Sequence, residues 1–221
     1  MTRIKLNITT EGETELKFAK NTLAIYLSRF DIDVHARSVK TSTGFRGGIT
    51  SYKKAKNDIH AWLNQNSSRE WKFTTMFDLF RLPKDFPGYR DALKQNDPYE
   101  KVRVLEEAFK RDIDDFRFIP YIQLHEFEAL IFADPYKLKL EFPDKDKAIQ
   151  KLVEMAQGKN PELINDHPDT APSKRIIKEI KVYEKNKSTS GPNVVESIGI
   201  LSLKEKCRHF GEWIKKLEVI S

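Results

Sequence analysis

The first 123 residues alternate between strand-like and helix-like patterns, and this alternation constrains the fold more than any other feature. Short β-rich runs occupy residues 3–8, 33–39, 71–77 and 116–123, and segments with apolar residues at helical spacing lie between them. Strands separated by helical crossovers predict a parallel sheet with helices on both faces. Pro120 in the last run predicts a sheet edge or a bulge there, because proline has no backbone N–H to donate.

From about residue 134 onward the sequence reads as helices separated by prolines. The helical segments are expected at 145–157, 173–184 and 191–217. A chain of 221 residues is long enough for one domain with an appended subdomain. We therefore predict an α/β core of about four strands over residues 1–133 and a mostly helical C-terminal subdomain over 134–221, packed on that core.

Composition excludes several classes of protein. The single cysteine, Cys207, excludes an internal disulfide and a cysteine-based zinc site. No apolar run approaches the roughly 20 residues of a membrane span, and the N-terminus lacks the apolar segment of a signal peptide. These features predict a cytoplasmic protein with no membrane partner. The net charge of +6 fits a nucleic-acid partner and fits charged, solvated helix faces equally well.

Acidic residues follow three of the four predicted strands. Glu11 and Glu15 follow the first strand, Asp78 ends the third, and Glu126 and Glu128 follow the fourth. Because functional groups gather beyond the carboxyl ends of parallel strands, these side chains are expected to meet. Carboxylate oxygens without a histidine or cysteine pattern predict Mg²⁺ or Mn²⁺ as the ion.

Each acid also has a purely structural explanation. After the first strand, Thr10 or Thr14 is placed to cap a helix whose dipole Glu13 and Glu15 would complement. Asp78 is placed equally well to cap the turn that follows its strand. If the chain is still extended after the fourth strand, Glu126 and Glu128 lie on the same side. If a helix has already begun, they point in different directions and only one reaches the site; Glu126 is the preferred candidate.

Two basic segments are candidates for phosphate binding. Arg46 lies in a glycine-rich loop, residues 42–48, which lacks the P-loop pattern. Lys174 and Arg175 open a helix directly after Pro172, where they are placed to hold a phosphodiester. A flexible surface loop and a solvated helix face are the corresponding structural alternatives.

Several longer motifs resemble a known family. The segments MFDLFRLPKDFPG, IPYIQLHEFEALIF, APSKRI and GPNVVESIGI, with the later CRHFGEW, resemble the bacterial DUF4276 family, which is regarded as Toprim-like. Members of that family are often encoded beside ABC-type ATPases in phage-defence loci. The segment TTEGETE after the first strand, with an Asp closing the third, resembles the Toprim domain of topoisomerases, primases and OLD-family nucleases. The resemblance implies a Toprim-like, Rossmann-like parallel sheet.

The Toprim resemblance also implies roles for individual residues. Glu11 matches the catalytic, metal-binding glutamate after the first strand, and Glu15 matches the second acid of an E-x3-E arrangement. Asp78 matches the first Asp of the usual D-x-D motif. The sequence departs from that motif at Phe80, which replaces the second Asp. This weakens one metal position unless Asp85 or Glu126 takes it, and Asp85 is expected to be a turn residue instead.

The remaining roles follow by position and chemistry. Glu126 would stand for the later metal-binding acid of OLD-type enzymes, and Lys174 for their C-terminal catalytic lysine. Arg46 and Arg175 would contact the substrate phosphate.

The resemblance implies a Mg²⁺- or Mn²⁺-dependent nuclease that acts on DNA or RNA, with tRNA included. It implies an effector of phage defence that works with an ABC-type ATPase. The alternative is a catalytically silent Toprim-like module that docks on an ATPase or on nucleic acid. The sequence leaves the choice of substrate and self-association open.

Overall fold

The computed structural model describes residues 3–39, 49–164 and 170–220. At its centre is a parallel sheet with the strand order β2-β1-β3-β4, and a short β5 pairs with the end of β3. Every pairing in this sheet is parallel. The strands are β1 (Ile4–Thr10), β2 (Ile32–Ser38), β3 (Trp71–Asp78), β4 (Phe118–Ile119) and β5 (Ile122–Gln123).

The last predicted strand is interrupted at Pro120, as its sequence indicates. A threonine of β3 supplies the backbone contacts that the interrupted ladder lacks: Thr75 Oγ1 donates to the carbonyl of Tyr121 at 2.9 Å and lies 3.1 Å from the Tyr121 N–H. The chain then rejoins β3 as β5, which directs the following residues toward the carboxyl edge of the sheet.

Ten α-helices lie within the described residues, together with short 3-10 turns. In the first part they are α1 (Glu13–Phe18), α2 (Ala24–Leu27), α3 (Tyr52–Gln65), α4 (Tyr89–Ala92) and α5 (Pro98–Ile113). In the second part they are α6 (Asp146–Ala156), α7 (Pro172–Glu179), α8 (Tyr183–Ile198), α9 (Ile200–Lys206) and α10 (Arg208–Glu218). None of these helices is both long enough and apolar enough to span a membrane.

The helices cover both faces of the sheet, which is the predicted α/β layering. Leu6 and Ile8 of β1 face a core shared with α1 and with α8 to α10, whereas Phe73 and Phe77 of β3 face α3 and α5. A parallel sheet covered on both faces, followed by a mostly helical second part, confirms the predicted fold class.

Two of the predicted helical segments are shorter than expected. The segment 191–217 is divided at Gly199, which adopts a left-handed conformation with φ of 82°, and again at Cys207. The segment 173–184 ends at Glu179, and a new helix, α8, begins at Tyr183. These breaks let α8, α9 and α10 turn back against the same sheet face.

Candidate active site

Five carboxylates are buried near the carboxyl ends of β1, β3 and β5. None of them has more than 6% of its surface exposed: Glu11, Glu15, Asp78, Glu126 and Glu128. Asp78 feels the charge of all four glutamates. The acids from three strand ends therefore lie near enough to act on the charge of Asp78, but no three of them in the described ranges are close enough together to hold an ion.

Glu11 and Asp78 link the ends of β1 and β3. The backbone N–H of Asp78 donates to Glu11 Oε2 at 3.0 Å. Burial raises the pKa of the Glu11 carboxyl to about 7, against the lowering effect of the Asp78 amide and with a contribution from the charge of Glu15. Glu11 is thus held by the sheet in a position where its ionisation is unfavourable.

Glu15 serves the helix start and faces the cluster at the same time. Its Oε2 accepts a hydrogen bond from the N–H of Gly12, the residue that precedes α1, at 2.9 Å. Burial raises the pKa of Glu15, while the backbone hydrogen bonds oppose this rise. The capping and site explanations of this residue are therefore compatible.

Asp78 is the least satisfied member of the cluster. Nothing among the described residues hydrogen-bonds its Oδ1, although this atom is fully buried. Burial, followed by the charges of Glu15 and Glu11, raises the pKa of Asp78 well above its usual range. A buried carboxylate oxygen without a partner is costly, so Asp78 favours either a proton or a cation.

Glu126 and Glu128 both lie near enough to act on the charge of Asp78, which is the outcome expected for a chain that is still extended at this point. Glu126 is still extended, and the 3-10 turn Phe127–Ala133 begins after it. Glu126 Oε1 accepts from the N–H of Ser173, and Glu128 Oε1 accepts from the hydroxyl of Tyr183 at 3.2 Å. Burial raises the pKa of Glu128 to about 7.

Lys187 of α8 is the cation that faces this pair. Its Nζ lies 3.1 Å from Glu128 Oε2 and 3.8 Å from Glu126 Oε2. Burial lowers the pKa of Lys187, but the charges of Glu128, Glu126 and Asp78 outweigh that effect and raise it overall. Arg81, on the 3-10 turn that follows β3, provides a second positive charge near Glu11 and Glu15.

Sequence reasoning did not single out Lys187. The signal that identifies it is its helical spacing: Tyr183, Gly191 and Val194 are buried, so Lys187 falls on the inward face of α8, one turn after Tyr183 and one turn before Gly191. A lysine on a buried helix face generally needs a carboxylate partner.

The structure describes two of the three predicted basic residues, Lys174 and Arg175. Lys174 is exposed in the first turn of α7, next to Ser173, whose N–H binds Glu126. Arg175 donates to the carbonyl of Thr170 at 2.7 Å and contacts Met155. Arg46 lies outside the described residues. The catalytic role of Lys174 and the phosphate contacts of Arg46 and Arg175 stay predictions.

The comparison with protein families agrees with the motifs. The model of a domain of unknown function, DUF4276, matches residues 10–218. The chain belongs to the DUF4276 family. No curated protein matches it.

Two solved structures of the C-terminal region of the OLD protein from Xanthomonas campestris pv. campestris resemble this DUF4276 chain. The one phased with platinum has 12% identity and a TM-score of 0.41, and the alignment covers 96% of this chain and 95% of that chain. The one phased with iodine has 15% identity and a TM-score of 0.37, with 96% of each chain covered. The alignments are long but the superpositions are loose, so no function is transferred from them.

Asp85 does not take the place of the second Asp of the D-x-D motif. The Asp85 carboxylate accepts hydrogen bonds from the N–H of Tyr52 at 3.1 Å and from the Ser51 hydroxyl at 3.2 Å, at the start of α3. Asp85 is thus a helix-start residue. Phe80 occupies the D-x-D position itself.

The donor set of this DUF4276 chain fits a hard divalent cation. Among the described residues, the five carboxylates lie near Lys187 and Arg81, and Asp78 Oδ1 has no partner there. Oxygen donors of this kind suit Mg²⁺ or Mn²⁺. As the side chains stand, no three His, Cys, Asp or Glu residues in the described ranges form a group that could hold an ion. One oxygen each of Glu11, Glu15 and Glu126 is already bound to a backbone N–H, so metal binding requires side-chain rearrangement.

Proposed function

We propose that this protein is a Mg²⁺- or Mn²⁺-dependent nuclease that hydrolyses phosphodiester bonds. The observation that carries the proposal is the buried, unpartnered Oδ1 of Asp78 within a cluster of four further carboxylates. An acidic surface patch would be solvated, whereas this cluster pays a burial cost that a bound cation would offset.

Glu11, Asp78 and Glu126 are the proposed ligands, with Glu15 as a further candidate. When bound, Mg²⁺ or Mn²⁺ would supply the Lewis acidity that phosphodiester hydrolysis needs. Because the carboxyls of Glu11 and Asp78 have raised pKa values, they would release protons as they take up the role of ligands. Metal affinity should therefore increase with pH.

Lys187 is the proposed countercharge for the reacting phosphate. It is the lysine that lies against Glu126 and Glu128, and an ammonium group at this position would stabilise negative charge that develops on the substrate. The exposed Lys174, Lys178 and Lys185 on α7 and α8 would supply contacts to the nucleic-acid backbone.

The test is cleavage of labelled DNA, RNA and bulk tRNA in Mg²⁺ or Mn²⁺. Wild-type protein is compared with Glu11→Gln and with Glu13→Gln, a matched control in which an exposed glutamate of α1 is changed. We expect wild type and Glu13→Gln to cleave at least one substrate, and Glu11→Gln and EDTA to reduce cleavage at least 100-fold.

Two results would contradict the proposal. Cleavage that persists in Glu11→Gln would place the activity at another site or in a contaminant. If the wild type cleaves nothing, alone or with the neighbouring ATPase added, the protein is instead a silent binding module.

The proposed setting is phage defence together with an ABC-type ATPase, and its support is the gene neighbourhood of the DUF4276 family. Co-expression with an ABC-type ATPase of the kind encoded beside family members, followed by affinity purification of either protein, tests this association. Recovery of a stoichiometric complex is expected, and separate elution of the two proteins at cellular salt concentration would contradict it.

A further inference from the structure

Phe80 is an exposed aromatic side chain at the rim of the carboxylate cluster. It lies on the 3-10 turn Leu79–Arg81, two residues after Asp78, and 38% of its surface is exposed. Phe30, Phe116 and Tyr136 are more exposed than Phe80, but Phe30 and Phe116 precede β2 and β4 and therefore lie near the opposite, amino edge of the sheet. A single exposed apolar ring is ordinary on a protein surface; what sets Phe80 apart is its position two residues after Asp78.

The orientation of Phe80 is fixed by its contacts with His125. The N–H of Phe80 donates to the carbonyl of His125 at 3.0 Å, and the two rings lie 5.1 Å apart with an interplanar angle of 38°. His125 is buried and has a left-handed backbone with φ of 62°, an uncommon conformation for a residue other than glycine. His125 thus supports the Phe80 ring immediately before the chain enters the site at Glu126.

Positive charge surrounds the carboxylates that Phe80 adjoins. Arg81 is exposed and acts on Glu11 and Glu15, and Lys187 lies against Glu126 and Glu128. An aromatic face beside cationic groups is the combination with which proteins bind single-stranded nucleic acid, since a base stacks on the ring and the cations contact phosphates.

We propose that Phe80 is a stacking platform for a nucleobase and makes the site selective for unpaired nucleotides. In a duplex both faces of each base are covered by neighbouring bases, so Phe80 can stack only on a base that is single-stranded or extruded. This inference rests on the proposed function, since it names the substrate class of the same site. It also assigns a role to the residue that replaces the second Asp of the D-x-D motif.

The experiment measures binding and cleavage in the same samples. Fluorescein-labelled oligonucleotides of about 15 nucleotides, as single-stranded DNA, single-stranded RNA and the matched duplexes, are titrated with protein in Mg²⁺. Anisotropy gives affinity, and gel analysis of the same mixtures gives cleavage. The variants are Phe80→Leu, which removes the ring but keeps apolar bulk, Phe80→Trp, which keeps a stacking surface, and the control Phe116→Leu.

We expect single strands to bind at least tenfold more tightly than duplexes. Phe80→Leu should weaken single-strand binding about tenfold, the loss of roughly one base–aromatic stack, with duplex binding unchanged. Phe80→Trp should retain wild-type affinity, and so should Phe116→Leu.

Failure of this inference is distinct from failure of the proposed function. Equal affinity for single strands and duplexes, equal losses in Phe80→Leu and Phe116→Leu, or no binding at all would overturn the stacking role, whether or not the strands are cleaved. Stacking-dependent binding without any cleavage would uphold it and would overturn only the nuclease activity.

Discussion

At the scale of single residues, the cluster is a balance between backbone hydrogen bonds and charge repulsion. Glu11, Glu15 and Glu126 each keep one oxygen on a backbone N–H, which makes their burial tolerable. Asp78 has no such compensation at Oδ1 within the described residues. The metal-free protein therefore keeps a destabilising group at the centre of its candidate site.

Asp78→Asn isolates the contribution of that group. Asparagine has nearly the same shape but no charge, so the metal-free variant should be as stable as wild type or more stable. Wild type should gain about 5 °C in Tm in millimolar Mg²⁺ or Mn²⁺, since a ligand that binds only the folded state stabilises it. The variant should lose that gain, and the exposed-site control Glu13→Gln should keep it; differential scanning fluorimetry with and without EDTA measures all three.

An equal cation-dependent rise in wild type and Asp78→Asn would contradict a metal role for Asp78. A lower Tm for the metal-free variant would contradict the inferred cost of its buried carboxylate.

Most of the acids in this site could be predicted from the sequence because strand ends fix where they lie. Glu11 and Asp78 each end or follow a strand, so a parallel sheet brings them to the same edge. Lys187 belongs to a helix more than 100 residues later in the sequence, and its position depends on how α8 packs against α1. No local pattern in the sequence specifies that packing.

At the scale of elements, the open edge of the sheet is covered by side chains instead of a further strand. Glu106 of α5 accepts from the N–H of Ile122 at 2.8 Å, and His209 Nε2 lies 3.0 Å from Glu106 and 3.1 Å from the Ile122 carbonyl. The single Nε2–H of His209 can be shared between both acceptors, and protonation of the ring adds a positive charge beside Glu106. Glu106 and His209 thus contact the N–H and the carbonyl of Ile122, which would otherwise be free to pair with another strand.

This arrangement predicts a pH dependence of stability. Burial lowers the pKa of His209, but the charge and hydrogen bond of Glu106, with Glu162 and the Ile122 carbonyl, raise it overall above 6.5. Since the folded protein holds the proton more tightly than the unfolded chain, the stabilisation is complete below pH 6.5 and is lost as pH rises through the folded pKa.

His209→Gln keeps a donor but cannot be charged. Its Tm should fall short of wild type by about 3 °C below pH 6, and the difference should shrink at higher pH. The exposed His35→Gln should show no such trend. A wild-type NMR titration in which His209 has a pKa at or below 6.5 would refute the argument directly.

The strand and helix pattern of the first part could be predicted because alternation and helical spacing are local properties. The divisions at Gly199 and Cys207 could not, because α9 and α10 turn to bury Leu203, Phe210 and Ile214 against the sheet. Tertiary burial decides those turns, and helical spacing continues across both of them.

At the scale of the whole molecule, the two parts of the chain share one hydrophobic core. Trp213 of α10 stacks on Tyr121 with ring centroids 4.0 Å apart, and its Nε1–H donates to Thr74 of β3 at 3.0 Å. Leu6 and Ile8 of β1 belong to the same core. The second part also supplies Lys187 to the candidate site, so it contributes to both stability and chemistry.

This sharing predicts the outcome of dividing the chain at residue 133. Without residues 134–221, the sheet face that carries Leu6 and Ile8 would be exposed to water, at a cost of roughly 25 cal/mol for each Å² of apolar surface. Exposing the apolar surface that several helices now cover would cost more free energy than the total stability of a typical domain, about 5–15 kcal/mol. We therefore expect the 1–133 fragment to lack cooperative thermal unfolding and dispersed NMR amide signals.

Co-expression of residues 134–221 with the 1–133 fragment should restore cooperative unfolding and dispersed amide signals, because the helices can then cover the exposed sheet face without a covalent link. A 1–133 fragment that unfolds cooperatively by itself would show that the α/β part carries its own sufficient core. In that case the helical part would serve the molecule mainly through Lys187, and a Lys187→Met variant of the full chain would retain the wild-type fold while losing the countercharge to Glu126 and Glu128.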